Sequence, residues 1–319
     1  MKKNNSMLSL GVLIKRNIKL FMKDKIIVFF SVLAPILVLL IYILFLGKLE
    51  VGMVENFLSE NGLDGALTRA EIQGVINNWM IAGVMGISCI SVAINANLIM
   101  VKDRANGSIN DVLASPVKKI VLYLSYIISS FLITCIITMF VLVFALIYLA
   151  CTGGFMLSFG QVCGLFGLTI LATMGSSLMI SFLCSFIKSP SQLTAANSVF
   201  SAAIGFFIGA YMPFSMLPDF VQHVGCFIPG TYSAGLYKHI FLSGVFERLS
   251  GKLPANVVSG LMDQYSIELD FFGTKISAGW MAVALIASIV LFLGLIFVFY
   301  SNKRTNFFAI TKKKKRKRI

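Results

Sequence analysis

The scarcest thing in this 319-residue chain is charge. Between Lys119 and Asp219 it carries one charged side chain, Lys188. No soluble core hides so long a stretch. A bilayer does, because apolar runs of roughly 20 residues cross its ~30 Å hydrocarbon core as helices. Lys188 then reads as the tip of a tight turn between two spans. Cysteine builds no disulfide framework: Cys89, Cys135, Cys163 and Cys184 fall inside apolar runs, Cys151 ends one, and Cys226 is left alone in a polar segment. There they serve as small apolar fillers. The two histidines, His223 and His239, fit no usual metal-ligand spacing with Asp219, so no metal site is expected. No G-x-x-x-x-G-K-[ST] phosphate loop occurs, and no set of catalytic groups sits at a plausible membrane surface. The chain is therefore not read as an enzyme.

What is present is apolar: 58% hydrophobic residues and a mean hydropathy of +0.89. The expected fold is an all-α integral membrane protein with six transmembrane helices, over residues 26–46, 79–100, 126–148, 162–187, 193–212 and 278–300. None contains Lys, Arg, Asp, Glu or His, which argues against proton relays and voltage sensors. Pro35 removes a backbone donor in the first span and predicts a kink. The six-helix domain is bounded as 26–300, preceded by residues 1–25 and followed by a basic tail, 301–319. Loops at 47–78, 151–160 and 213–277 lie on one side, and the connection 101–119 on the other.

Charge orients the chain. Of 27 basic residues, 21 fall on the side of the termini, with only Asp24, Asp103 and Asp111 among the 13 acids. The positive-inside rule places both termini in the cytoplasm. An even number of spans requires the same. The expected location is the inner (plasma) membrane, crossed several times. The run 312–318 is the densest charge and should lie along an anionic leaflet, so nucleic acid is not an expected partner. No cleavable leader is expected at the N-terminus, where Lys15, Arg16 and Lys19 interrupt the apolar residues.

At the N-terminus, Leu10, Leu13, Ile14, Ile18 and Phe21 share one helical face while Lys15, Arg16, Lys19 and Lys23 face away. That pattern predicts an amphipathic interfacial helix on the inner leaflet. In the connection after the second span, Gly107 breaks the preceding helix and Ser108 is the expected N-cap. Ile109, Val112 and Leu113 form a stripe, Asp111 lies in the first turn, and Ser115-Pro116 ends the helix. A short capped helix on this surface leaves its stripe for lipid or for a groove on another protein.

This segment resembles the first cytoplasmic loop of ABC-2 type permeases, in which charged residues, Gly-Thr/Ser, an acid, Leu and Ser/Thr-Pro follow in order. Here they are Lys102-Asp103-Arg104, Gly107-Ser108, Asp111, Leu113 and Ser115-Pro116, with Asn106 where members often carry Glu. Residues 213–218, then Phe227-Ile228-Pro229 and Thr231-Tyr232, are similar to the family's pattern after its fifth span. The resemblance implies that Gly107, Ser108, Asp111, Leu113, Ser115 and Pro116 couple the chain to an ATPase. It implies a separate P-loop ATPase subunit that binds Mg-ATP, so that no cofactor is held by this chain. It also implies a second permease copy, identical or related, and export of a drug, antibiotic or peptide. The alternative reading is an ATP-independent channel or secondary transporter; it usually shows intramembrane charges or broken repeat helices.

Two seams are marked by small and polar residues. Thr194, Asn197, Ser198, Ser201, Gly205 and Gly209 recur at helical spacing in the fifth span, and Gly205-x-x-x-Gly209 would let two backbones approach. Ser201, Gly205 and Gly209 are the candidate dimer seam, with packing inside one subunit the competing use. Ser88, Ser91 and Asn95 share a face of the second span and are the candidate pathway residues, with ordinary interhelical hydrogen bonds as the competing use.

Overall fold

The computed structural model describes residues 2–271 and 274–301. The basic run 312–318 and the rest of the tail beyond Ser301 lie outside the described residues. Helix α1 (Lys2–Lys23) turns at Asp24 into α2 (Lys25–Ile41), which passes through a π-helical turn (Tyr42–Leu46) into α3 (Gly47–Glu60). Then follow α4 (Arg69–Ala105), α5 (Ser108–Leu113), α6 (Lys119–Cys151), α7 (Phe159–Cys184) and α8 (Pro190–Phe207). After a 3-10 turn at Phe214–Met216 come α9 (Asp219–Gly225), α10 (Pro229–Ser250) and α11 (Ala255–Gln264). An antiparallel hairpin of β1 (Leu269–Phe271) and β2 (Thr274–Ile276) leads into α12 (Ala278–Ser301).

Five described helices are long and apolar enough to cross a membrane: α2 with its π-helical turn, α4, α6, α7 and α12. The sixth expected span is not among them. Helix α8 is 18 residues long, carries Gln192, Thr194, Asn197 and Ser198, and stops at Phe207 rather than at Met212. Its end is a left-handed turn at Gly209, φ +64°. Lys188 lies in the turn between α7 and α8, where Ser189 accepts a hydrogen bond from the Gln192 amide as N-cap. Pro35 lies inside α2 without interrupting its helical run.

Helix α4 is the centre of the bundle, with α2, α6, α7, α8 and α10 packed around it. At 1.5 Å per residue its 37 residues extend about 55 Å, well beyond the hydrocarbon core. It begins ten residues before the expected span because Thr68 and Glu71 form a reciprocal capping box. The segment expected as an outer loop, 213–277, is largely helical, and part of it packs into the bundle. Its longest helix, α10, is buried along most of its length against α4, α7 and α12. Small residues allow this: a Cβ on Gly86 of α4 would stand 2.9 Å from the Ala234 Cβ of α10.

Helix α1 is amphipathic as its periodicity predicts, with a different neighbour. Leu13, Asn17 and Phe21 are buried and Leu10, Ile14 and Ile18 half-buried, all on the face that packs against α6. Protein covers part of the stripe, and Met7, Leu8 and Val12 are left exposed.

Candidate functional site

At one end of the bundle α1, the starts of α2 and α6, the end of α7 and the short helix α5 come together. Helix α5 is entered through Gly107 at φ +79°, a left-handed conformation that glycine adopts without Cβ strain. Gly107, not Ser108, occupies the N-cap position, and Ser108 is the first helical residue. Ile109 is buried and Leu113 half-buried against the bundle, so the apolar stripe is satisfied within the chain. Asn110, Asp111, Ser115 and Pro116 face outward. Ser115 Oγ donates to the Val112 carbonyl and helps to close the helix.

Three consecutive residues in the last turn of α4, just before α5, tie that end to the α1–α2 turn, to α1 and α6, and to the segment after α7. Lys102 Nζ lies 3.2 Å from Asp24 Oδ2 at the α1–α2 turn. Asp103 Oδ2 takes Arg16 Nη1 of α1 at 2.7 Å and the Tyr126 hydroxyl of α6, also at 2.7 Å. Arg104 Nη1 donates to the carbonyls of Ser185 and Ile187, at 3.1 and 2.8 Å, beyond the end of α7. A cation suits that position, since helix C-termini leave carbonyls unpaired and carry partial negative charge. The hydrogen bond to Asp103 raises the Arg16 guanidinium pKa further above its ordinary value. Asn17, the next residue of α1, reaches Ser125 and Ser129 of α6 at 3.4 and 3.3 Å. Neither Arg16 nor Tyr126 stood out in the sequence: a basic residue on an amphipathic helix reads as solvated, and a tyrosine near a span end as an interfacial anchor.

Deeper in the bundle, the three candidate pathway residues separate. Ser88 is fully buried and donates to the Val84 carbonyl of its own helix at 2.6 Å. Ser91 is buried. Asn95 reaches other helices: its Nδ2 donates to Ser31 Oγ of α2 at 3.1 Å, and its Oδ1 accepts from Asn197 Nδ2 of α8 at 3.2 Å. Asn95 therefore joins α2, α4 and α8. The outward faces of α2 and α8 carry exposed Phe29 and Phe30, and Val199, Phe200 and Phe206.

The Gly205-x-x-x-Gly209 pair does not make a helix face. Gly209 lies beyond the end of α8 at positive φ and packs on Phe214, and the ring of Tyr211 covers Gly205 so closely that a Cβ would stand 2.2 Å from it. The chain folds back on itself there and fills the groove that the spacing offered to a second backbone. Ser201 lies on α8, with its side chain outside the described residues.

The broken end of α8 is held by two groups that sequence reasoning left aside. The Tyr42 hydroxyl donates to the Ala210 carbonyl, and Lys238 Nζ to that of Gly209 at 2.8 Å. Lys238 is 1% exposed, and its ammonium stands 5.4 Å from the centre of the Trp79 ring. Tyr265 packs edge-on against Trp79 at 5.4 Å and donates to Glu50 Oε2 at 3.3 Å. Burial raises the Glu50 carboxyl pKa above its ordinary value, and the Tyr265 hydrogen bond pulls it partway back. Among the described residues no three His, Cys, Asp or Glu side chains gather where a metal ion could be held.

At this end of an apolar bundle the amphipathic α1 is joined by the Arg16–Asp103 ion pair to the last turn of α4, from which the six-residue α5 continues. These features define a multi-pass membrane protein of the transport class. The sequence model of the ABC-2 type transporter family matches residues 9–242, and the chain belongs to that family. It is a permease component of an ABC transporter, a family whose membrane subunits work with ATPase subunits. No curated protein and no solved structure shows a comparable match.

Proposed function

We propose that this chain forms the membrane pathway of an ATP-driven exporter, as one of two permease copies served by two separate Mg-ATP-binding ATPase subunits. The observation that carries this reading is the triple attachment of Lys102, Asp103 and Arg104 beneath a helix that exposes Asn110, Asp111, Ser115 and Pro116. In this reading the ATPase grips the exposed side of α5. Its closure moves α5, and the Asp103 and Arg104 contacts carry that motion to α1, α6 and the end of α7. The charge distribution supports cytoplasmic termini in the inner membrane, which puts α5 on the ATP side. The second copy faces the apolar sides of α2 and α8, around Asn95, and the cargo is an amphiphilic drug, antibiotic or peptide.

The test is Asp111→Arg, an exposed position that packing does not constrain. Insertion and yield should match the parent, while export and ATPase co-purification fall at least about tenfold, as for reversal of a charge facing a partner. Parent-like export together with undiminished ATPase capture would sink the coupling role of α5.

A further inference from the structure

A cleft opens on the flank of the bundle where α12 packs on α7 and α10 and stands away from α6. It encloses about 380 Å³ and is lined by Ile120, Leu124 and Phe131 of α6, Leu178 of α7, and Ile296 and Phe297 of α12, among other apolar side chains. From Ile120 to Phe131 the wall rises about 17 Å, at 1.5 Å per residue. That is close to half of a ~30 Å hydrocarbon core, the depth of one leaflet. At its mouth, directly before Ile120, stand the exposed pair Lys118 and Lys119.

A half-open apolar cleft of this size loses dispersion contacts along its lining unless hydrocarbon fills it. We propose that the cleft is a binding site for one anionic glycerophospholipid of the leaflet on the α5 side, with an acyl chain against α6, α7 and α12 and the phosphate on Lys118 and Lys119. The length of the groove selects a chain confined to one leaflet. The charge at its mouth selects an acidic headgroup. The site lies away from the α2 and α8 faces assigned to the second copy, so the bound lipid is a resident of each protomer rather than cargo. From the proposed function it takes the orientation of α5 toward the cytoplasm and the assignment of the second copy to α2 and α8.

The experiment is native mass spectrometry of the full chain, delipidated in mild detergent and titrated with dioleoyl phosphatidylglycerol or dioleoyl phosphatidylcholine, without ATP or substrate. One phosphatidylglycerol per chain should be retained in preference to phosphatidylcholine. Leu124→Trp, which fills the cleft from a partly exposed position, should lower that retention at least about tenfold through overpacking. Lys118→Ala with Lys119→Ala should weaken phosphatidylglycerol at least about fivefold, roughly what one lysine contributes near an anionic surface, and leave phosphatidylcholine unchanged. Val290→Trp, on the exposed side of α12, should change nothing and serves as the folding and surface control. Retention of neither lipid, equal retention by Leu124→Trp, or equal loss in Val290→Trp overturns the site. A Leu124→Trp chain that instead changes its oligomeric state shows that a second copy occupies the cleft, and overturns it as well. Because ATP plays no part in the readout, lipid binding can fail while the exporter reading stands, and the reverse.

Discussion

The two ends of the bundle bury charge in different ways. At the α5 end, Asp103 meets a guanidinium and a phenol, and Arg104 meets a set of helix-end carbonyls. At the far end, Lys238 is sealed against one carbonyl and one indole ring, with no carboxylate bonded to it among the described residues. Buried ions lose hydration that only well-placed partners replace. The α5 end therefore depends on a specific geometry among four elements. The far end uses a single lysine amine to close the carbonyl end of α8. One end is organised for pairwise specificity, the other for capping. That contrast fits a bundle whose α5 end is handled by a partner and whose far end has only to stay closed around its own broken helix.

The contrast breaks most readily at Asp103. Asp103→Ala leaves Arg16 and Tyr126 without their shared acceptor and should destabilise the detergent-solubilised chain by about 3 kcal/mol, the low end for removing one partner of a buried pair. A thermal unfolding midpoint equal to the parent's would show that the α5 end is not organised by charge pairing. A double-mutant cycle with Arg16→Met sharpens the point. Because Arg16 is partly exposed, the coupling should be smaller than the single loss, about 1–2 kcal/mol. Near-perfect additivity would remove the pair from the account.

Lys238→Met should change stability by about 1 kcal/mol or less, since losing one hydrogen bond and a ring contact is offset by no longer burying a polar amine. A loss as large as that of Asp103→Ala would erase the difference between the two ends. The smallest effect is a slope rather than a level. In the unfolded chain Glu50 ionises near 4.5, and in the folded chain it ionises higher because it is buried. Above 4.5 the folded chain keeps a proton that the unfolded chain has released, so stability falls as pH rises through the folded value. Glu50→Gln should flatten that part of the profile of unfolding midpoint against pH. An unchanged slope would show that Glu50 does not titrate within the folded interior.

Much of the fold was legible in the sequence. The apolar runs of α2, α6, α7 and α12 stand out at once, as does the glycine that opens α5 and the Ser-Pro that follows it. These are local signals, set by hydropathy, φ preference and capping. Two features were not legible. The fifth apolar run reads as a span, yet α8 stops early, because Tyr211 folds onto Gly205 and a tyrosine and a lysine from distant segments take the freed carbonyls. The segment 213–277 reads as an outer loop, with nothing in it to mark a helix that enters the bundle. Its helix α10 is buried because Gly86 and Ala234 let two helices approach more closely than hydropathy reveals.

The candidate site divides in the same way. Gly107, Asp111 and Pro116 announce themselves by residue type and spacing. Arg16, Asn17 and Tyr126 do not, being separated from Asp103 by up to 87 positions. Alone in the sequence, each has an ordinary reading.

The sequence by itself determined that this chain lives in a bilayer, that it is helical, and that a short helix entered through a glycine lies between two long ones. Composition and short-range patterning decide those properties, since backbone groups in lipid must be satisfied within the helix that carries them. Only the tertiary structure decided which charges meet, where α8 ends and which faces stay open to lipid. Those outcomes depend on groups far apart in sequence, and their favourable terms arise only once helices have packed and water has left.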